Sequence, residues 1–280
     1  MGLIESNRLN HFQILVSFTI NPIQIEMSCN RLFPRIGILY PGNSAEDDYP
    51  QLAEMVEPPA DIRIVHTEGP DVHRVDECLI TGSDQILAIG ARELKNHKVE
   101  TCMWACTSGS FAFGVEGARL QVSKIAEILG VPTSSTSLSF LSAVRALKLK
   151  RVAIAATYPQ ELAHAFRLFL EYDGVEVLSL NSLEIWSGRE VGEFEEEKII
   201  SFVLANDHPN AEAILVPDTA LRTATLLPRL EASLGKIVLT ANQVTFWEAM
   251  RLTGTLKPQM RLGRLFSHDP FLSWRMGELW

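Results

Sequence analysis

The sequence predicts an α/β protein made of two pseudosymmetric halves, each a parallel sheet with flanking helices, and three observations carry that prediction. First, short runs of β-branched and apolar residues alternate with helical patterns from residue 35 onward, the alternation that gives parallel sheets flanked by helices. Second, the chain repeats itself in one order. RIGILYP at 35–41 recurs as RVAIAATY at 151–158, and TCMWACTSGS at 101–110 recurs as AILVPDTAL at 213–221. Leu129-Gly130, then a Ser/Thr-rich turn and a helix with Ala143-Val-Arg-Ala-Leu, recurs as Leu234-Gly235, then a Thr/Asn turn and a helix with Ala249-Met-Arg-Leu. The offsets run from 105 to 116 residues, which points to an internal duplication. Third, 280 residues that are 46% hydrophobic are enough for one large domain or two medium ones with a real core.

The elements follow in order. Residues 1–34 read as an extension of uncertain order, with Met27 an alternative start. Its apolar patch, 13–20, resembles a signal-peptide core, but Glu5 stands beside Arg8 and no small-residue cleavage site follows. Strands are expected at 35–41, 62–66, 100–105, 151–157, 176–180, 212–216 and 237–240, with a short strand or turn at 132–137. Helices are expected at 85–98, 119–129, 140–147, 159–173, 195–205, 223–234 and 246–252. Gly130 and Gly174 mark helix ends. The first half takes 35–140, joined by the C-terminal segment 241–280, and the second takes 141–240.

Composition excludes several classes. Thirty-four acids against 25 bases give a net charge of −9, which argues against a nucleic-acid binder. No run of about 18 apolar residues is present to span a membrane. Four cysteines, at 29, 78, 102 and 106, make neither a disulfide scaffold nor the paired CxxC units of structural zinc. No HExxH, Walker loop or strand-following GxGxxG occurs, so neither a metal nor a nucleotide cofactor is expected. The default location is the cytoplasm. A homo-oligomer is left open.

The repeat selects the loops to inspect. In open α/β sheets, ligands collect at the C-terminal ends of the strands. One such end runs into Cys106-Thr107-Ser108-Gly109-Ser110, its counterpart into Pro217-Asp218-Thr219-Ala220, and the register sets Cys106 opposite Asp218. Groups on two sides of one carbon suit two-sided proton chemistry. Backbone N–H groups at the Cys106 turn are expected to hold a carboxylate and lower the thiol pKa. Packing as a small buried hydrophobe is the plain alternative for Cys106, and helix capping is that for Asp218. Asn43 follows the first strand and is either an amide donor to substrate or a turn residue. Glu46-Asp47-Asp48 reads as a solvated helix start. Tyr158 ends the matching strand and is either an anion-binding phenol or a core-edge residue. Cys102 reads as core, and Cys29 and Cys78 as incidental.

These segments resemble the aspartate/glutamate racemase superfamily, in the branch of arylmalonate decarboxylases and maleate cis-trans isomerases. The resemblance is carried by RIGILYPGN (35–43), CTSGSF (106–111), TSLSFLSAVRALKLKRVAIAATY (136–158), ILVPDTAL (214–221), TANQVTFWEAMRL (240–252) and GRLF (263–266). It implies two pseudosymmetric halves, an active site between them and no cofactor. It places Cys106 on the first-half catalytic position. It gives Thr107, Ser108 and Tyr158 to a substrate carboxylate, Asn43 to the substrate face, Thr219 to a backbone donor and Asn242 to a turn near the site. The chain departs from the family at the second catalytic position, where Asp218 replaces a cysteine.

The function expected from this is isomerisation of a small carboxylate or dicarboxylate, similar to maleate isomerase. Cys106 would be nucleophile or base, Asp218 the opposing acid or base, and neutral donors would hold the carboxylates. The alternatives are a racemase or epimerase of an amino or hydroxy acid, an arylmalonate-type decarboxylase, and a carboxylate-binding protein without chemistry. Loops around 65–72 and 182–192, with Trp186 a candidate, would choose the substrate.

Overall fold

The computed structural model describes residues 33–42 and 44–267. The extension at 1–32, with Met27 and Cys29, lies outside the described residues, as does Asn43. Two four-stranded sheets form, ordered β2-β1-β3-β4 and β6-β5-β7-β8. The first contains β1 (Arg35–Pro41), β2 (Asp61–Thr67), β3 (Thr101–Trp104) and β4 (Thr133–Ser135). The second contains β5 (Arg151–Ala156), β6 (Glu176–Ser182), β7 (Ala213–Val216) and β8 (Ile237–Thr240). Every pairing is parallel. The inner strands are the near-continuous apolar runs that burial on both faces requires: all of β3 and β7 is buried, and in β5 only Arg151 is exposed.

The helices are α1 (Asp48–Met55), α2 (Val75–Thr81), α3 (Asp84–Leu94), α4 (Ser108–Phe111), α5 (Gly114–Leu129), α6 (Thr136–Ala146), α7 (Gln160–Tyr172), α8 (Gly188–Gly192), α9 (Glu196–Ala205), α10 (Leu227–Leu234), α11 (Ala241–Leu252) and α12 (Gly263–Ser267). None of these described helices is long and apolar enough to cross a membrane. Gly130 stops α5 in the left-handed region, φ +74°, where a Cβ would cost energy. Helices α6 and α11 begin directly after β4 and β8, four to five residues before the starts read from sequence. Each is capped by its strand's last side chain. Ser135 accepts from Leu138 N–H, and Thr240 forms a reciprocal box with Gln243. Helix α10 starts at 227 rather than 223, because residues 223–226 form a turn held by Asp48.

One hydrophobic core joins the sheets, with Ile36 and Ile38 of β1 in the same cluster as Val152 and Ile154 of β5. Helix α11 packs on α6, β3 and β4 as well as on β8. An aromatic chain leads from this core outward: Phe140, Phe166, Phe111, Tyr158 and His73, with successive ring centroids 5.3, 5.4, 6.0 and 5.1 Å apart. In both sheets the strand order reverses beside the first strand, between β1 and β3 and between β5 and β7. A crevice opens at such points beyond the strands' C-terminal ends. The duplicated topology therefore sends four loops, two from each half, toward one place.

Candidate active site

A cavity of about 210 Å³ lies there. Its lining comes from both halves and includes Cys106, Thr107 and Ser108 after β3, and Asp218 and Thr219 after β7. The pairing of Cys106 with Asp218 read from the repeat is realised as two buried groups facing one space.

Cys106 is 6% exposed and sits where β3 turns into α4. Gly109 N–H donates to its Sγ at 3.2 Å, and Ser108 Oγ lies 3.7 Å away. A Cβ at Gly109 would stand 3.0 Å from that sulfur and 3.1 Å from Trp104, so the bare backbone is what lets this amide come so close. The expectation of a lowered thiol pKa is corrected. Burial outweighs the two hydrogen bonds and, with Cys78 and Asp218 acting in the same direction, pushes the Cys106 thiol up to about 12. At neutral pH it is therefore a neutral S–H. The thiolate fraction then rises about tenfold per pH unit below that value. Alkylation of Cys106, followed by intact-protein mass spectrometry with Cys106→Ser as control, should climb from pH 8 to 10 without a plateau.

Asp218 is 4% exposed. The Thr157 hydroxyl donates to one carboxylate oxygen, and Ala220 N–H donates to the other at 2.8 Å. It heads a turn, and no helix begins until Leu227, so helix capping does not account for it. Two tyrosines at the ends of β1 and β5 clamp the carbonyls on either side. Tyr158 Oη donates to Pro217 O, and Tyr40 Oη donates to Thr219 O at 3.0 Å.

The other expected residues divide. Thr107 is buried, and its hydroxyl, beside that of Tyr158, makes no geometrically sound hydrogen bond among the described residues. Thr219 lines the cavity, and its N–H makes no hydrogen bond among the described residues. Tyr158 lines the cavity with its ring, but its hydroxyl is engaged by Pro217 O, so its role as a carboxylate donor is corrected to one of positioning. Asn242 does not line the cavity. Its fully buried amide donates to Asp48 (3.0 Å), Thr219 O (3.2 Å) and Leu221 O (3.1 Å), holding the Asp218 loop from behind. Asp48 starts α1 as expected, yet it is buried rather than solvated. Trp186 is exposed and does not line the cavity. Cys102 is core, as expected.

Sequence reasoning missed Tyr40, Asp71, His73, Cys78 and Arg189, all of which line the cavity. Cys78 faces it from α2, and burial pushes its thiol up to about 11. Gln121 holds α2 against α4 by donating to Gly82 O and Gly109 O. The loops after β2 and β6 clasp each other over the site. Asp71 accepts from Gly188 N–H (2.7 Å) and Arg189 N–H (3.1 Å), and His73 N–H donates to Trp186 O at 2.8 Å. These are the loops expected to choose the substrate.

Two parallel α/β halves whose strand ends meet at one cavity are the architecture of the Asp/Glu racemase superfamily, in the arylmalonate decarboxylase and maleate isomerase branch of enzymes, with Asp218 as this chain's own departure. Comparison with known proteins agrees. The family model described as arylmalonate decarboxylase matches residues 71–266, and the chain belongs to that family. It is 26% identical over 182 residues to arylmalonate decarboxylase of Bordetella bronchiseptica, covering 64% of this chain and 76% of the relative. The fold is similar to the crystal structure of the maleate isomerase Iso from Pseudomonas putida S16, with a TM-score of 0.77 at 19% identity, covering 84% of this chain and 98% of the other. It is likewise similar to a Nocardia farcinica maleate cis-trans isomerase mutant with a covalently bound succinylcysteine intermediate, with a TM-score of 0.77 at 21% identity, covering 85% and 99%.

Proposed function

We propose that the protein is a cofactor-independent isomerase of a small carboxylate, with Cys106 and Asp218 acting on one substrate from opposite sides. The observation that carries this reading is the pair itself: a neutral thiol and a doubly hydrogen-bonded carboxylate, both buried, on one small cavity. The Thr107 and Ser108 hydroxyls and the Thr219 N–H offer neutral donors for the substrate's carboxylate. On a saturated acid, Asp218 takes the α-proton, and the electron pair moves into the carboxylate as an enediolate. The Cys106 S–H then protonates the opposite face and inverts the centre. The thiolate and the protonated Asp218 left behind regain their starting states by running the exchange in reverse on the product enantiomer or through solvent.

Cis–trans exchange is the second reading, favoured by the maleate isomerase relatives and by the covalent succinylcysteine intermediate of the Nocardia farcinica isomerase mutant. Here the thiol gives its proton to Asp218 and Sγ bonds to one alkene carbon, while the π pair moves into the neighbouring carboxylate. Rotation about the new single bond and reversal of these steps release the other isomer. Small chiral carboxylates and maleate, incubated with the enzyme in D2O, separate the readings. Inversion at a chiral carbon brings in deuterium at that carbon. Cis–trans exchange turns maleate into fumarate and leaves the saturated chiral acids unlabelled. Turnover of neither class overturns the proposal and leaves carboxylate binding without chemistry; turnover unchanged in Cys106→Ser overturns it by removing the thiol from the reaction.

A further inference from the structure

We infer that Tyr40 is a positioning residue for Asp218, acting through the one peptide group between Thr219 and Ala220. Its effect on turnover rests on the proposed acid–base role of Asp218. The hydrogen-bond chain itself does not.

Tyr40 is 1% exposed, stands near the end of β1 and lines the cavity. Burial pushes its phenol upward in pKa, with the Asp218 and Glu46 charges acting in the same direction, so the hydroxyl keeps its one hydrogen. That hydrogen goes to Thr219 O, at 3.0 Å, a carbonyl that only accepts. The two lone pairs are taken as well. Ala45 N–H donates to Oη at 3.1 Å. Ser44 Oγ, 2.7 Å away, is thereby left as the second donor. Tyr40 lines the cavity, yet its hydroxyl has no hydrogen bond left to give a substrate.

Its effect lies one peptide further on. Thr219 O and Ala220 N–H are the two ends of one resonant amide. Tyr40 Oη and, at 3.2 Å, Asn242 Nδ2 donate to the oxygen. Ala220 N–H donates to Asp218 Oδ1 at 2.8 Å. Each donor on the carbonyl polarises the amide and strengthens the bond that its N–H makes. Four groups thus stand in series: Ser44, Tyr40, the 219–220 peptide and Asp218. They run from the loop after β1 in one half to the carboxylate of the other. Thr157 holds the second carboxylate oxygen, so the chain through Tyr40 decides how firmly Asp218 keeps its pose, on which reaction at a bound carbon depends.

Amide NMR of the full chain reads this without turnover. Carbonyl-labelled threonine with amide-labelled alanine leaves three Thr–Ala amides in view, those of Ala220, Ala224 and Ala241. Ala224 N–H donates to Asp48 and is the internal reference. Measured from its position in Asp218→Ala, the downfield displacement of the Ala220 proton should shrink by about 10–30% in Tyr40→Phe, the strengthening that one bond adds to a chain. Asn242 still holds Thr219 O there, so the loop keeps its course. Ser44→Ala retains Tyr40 and its bond to Thr219 O, and should move Ala220 the same way by less. In Tyr40→Phe kcat should fall about 3–10-fold, the span of one neutral hydrogen bond, with KM unchanged. An unmoved Ala220 proton in Tyr40→Phe overturns the inference. So does a proton that moves in Tyr40→Phe and not in Ser44→Ala, which would make the tyrosine a steric prop. A loss carried by KM overturns it too, by putting the hydroxyl on the substrate. Failure of the isomerase proposal would show separately, as absent turnover with both Ala220 shifts intact.

Discussion

Asp218→Asn is expected to lower kcat by about 10²–10⁴-fold, the usual contribution of one positioned acid–base group, with little change in fold. The substitution is nearly isosteric, and the surroundings can accept it. The amide oxygen still receives Ala220 N–H, now at 2.8 Å to the carboxylate. The Thr157 hydroxyl, which donates to Asp218, can turn and accept from the new amide N–H. What disappears is the ability to take a proton. Cys106→Ser removes the opposing group and should cost a similar factor. With both acting in one exchange, as proposed, the double variant should be no slower than the slower single variant. Steady-state kinetics on any accepted substrate, with circular dichroism to confirm folding, check both points. Additive losses would place the two residues in separate steps.

Asp48→Ala should destabilise the protein by about 3–5 kcal/mol, the range for removing one partner from a buried charged network. Asp48 is 1% exposed. Its carboxyl accepts from Thr223 N–H at 2.9 Å, Ala224 N–H at 3.2 Å and Asn242 Nδ2 at 3.0 Å. Burial pushes its pKa upward, and these three donors pull it back. Alanine would leave the Thr223 and Ala224 N–H groups buried and unpaired while Asn242 kept its bonds to Thr219 O and Leu221 O, and the loop from 218 to 224 would lose its anchor to α1. Urea denaturation should show a lower midpoint with an unchanged m-value. Turnover should fall as well, measured well below the unfolding transition. Asp48→Asn keeps an acceptor oxygen and should be milder on both counts.

Much of this arrangement is legible in the chain. Central strands of parallel sheets are buried on both faces, so RIGILYP and RVAIAAT announce themselves by composition alone. The repeat then aligns Cys106 with Asp218, because duplicated halves end their strands at equivalent points. Helices α1 and α2 are less legible: each has only a turn or two of helical pattern. The places of His73, Asp71 and Cys78 on the cavity are hidden for a different reason. They depend on loops after β2 and β6 meeting across the site, and no local periodicity records a contact between residues 71 and 188. For Asn242 and Tyr158 the sequence points to the right neighbourhood but the wrong task. It shows that a polar group is near a site, but not whether its donor is already engaged by a carbonyl such as Thr219 O or Pro217 O. The Cys106 thiol misleads in the same way, since a turn rich in small residues suggests activation, while burial is a property of the assembled fold.

The contact between Asp48 and Asn242 joins residues 194 positions apart, and it braces the turn that presents Asp218. Loops of that span close late, because their entropy must be overcome before the contact gives anything back. Helix α11 leaves the ribosome long after α1 has taken shape, and the turn between them stays unbraced until α11 arrives. The geometry proposed to handle the proton is therefore among the last features of the molecule to form. A nascent chain carries Cys106 and Asp218 well before it can hold them across one cavity, so the proposed site is complete only when the whole fold has closed.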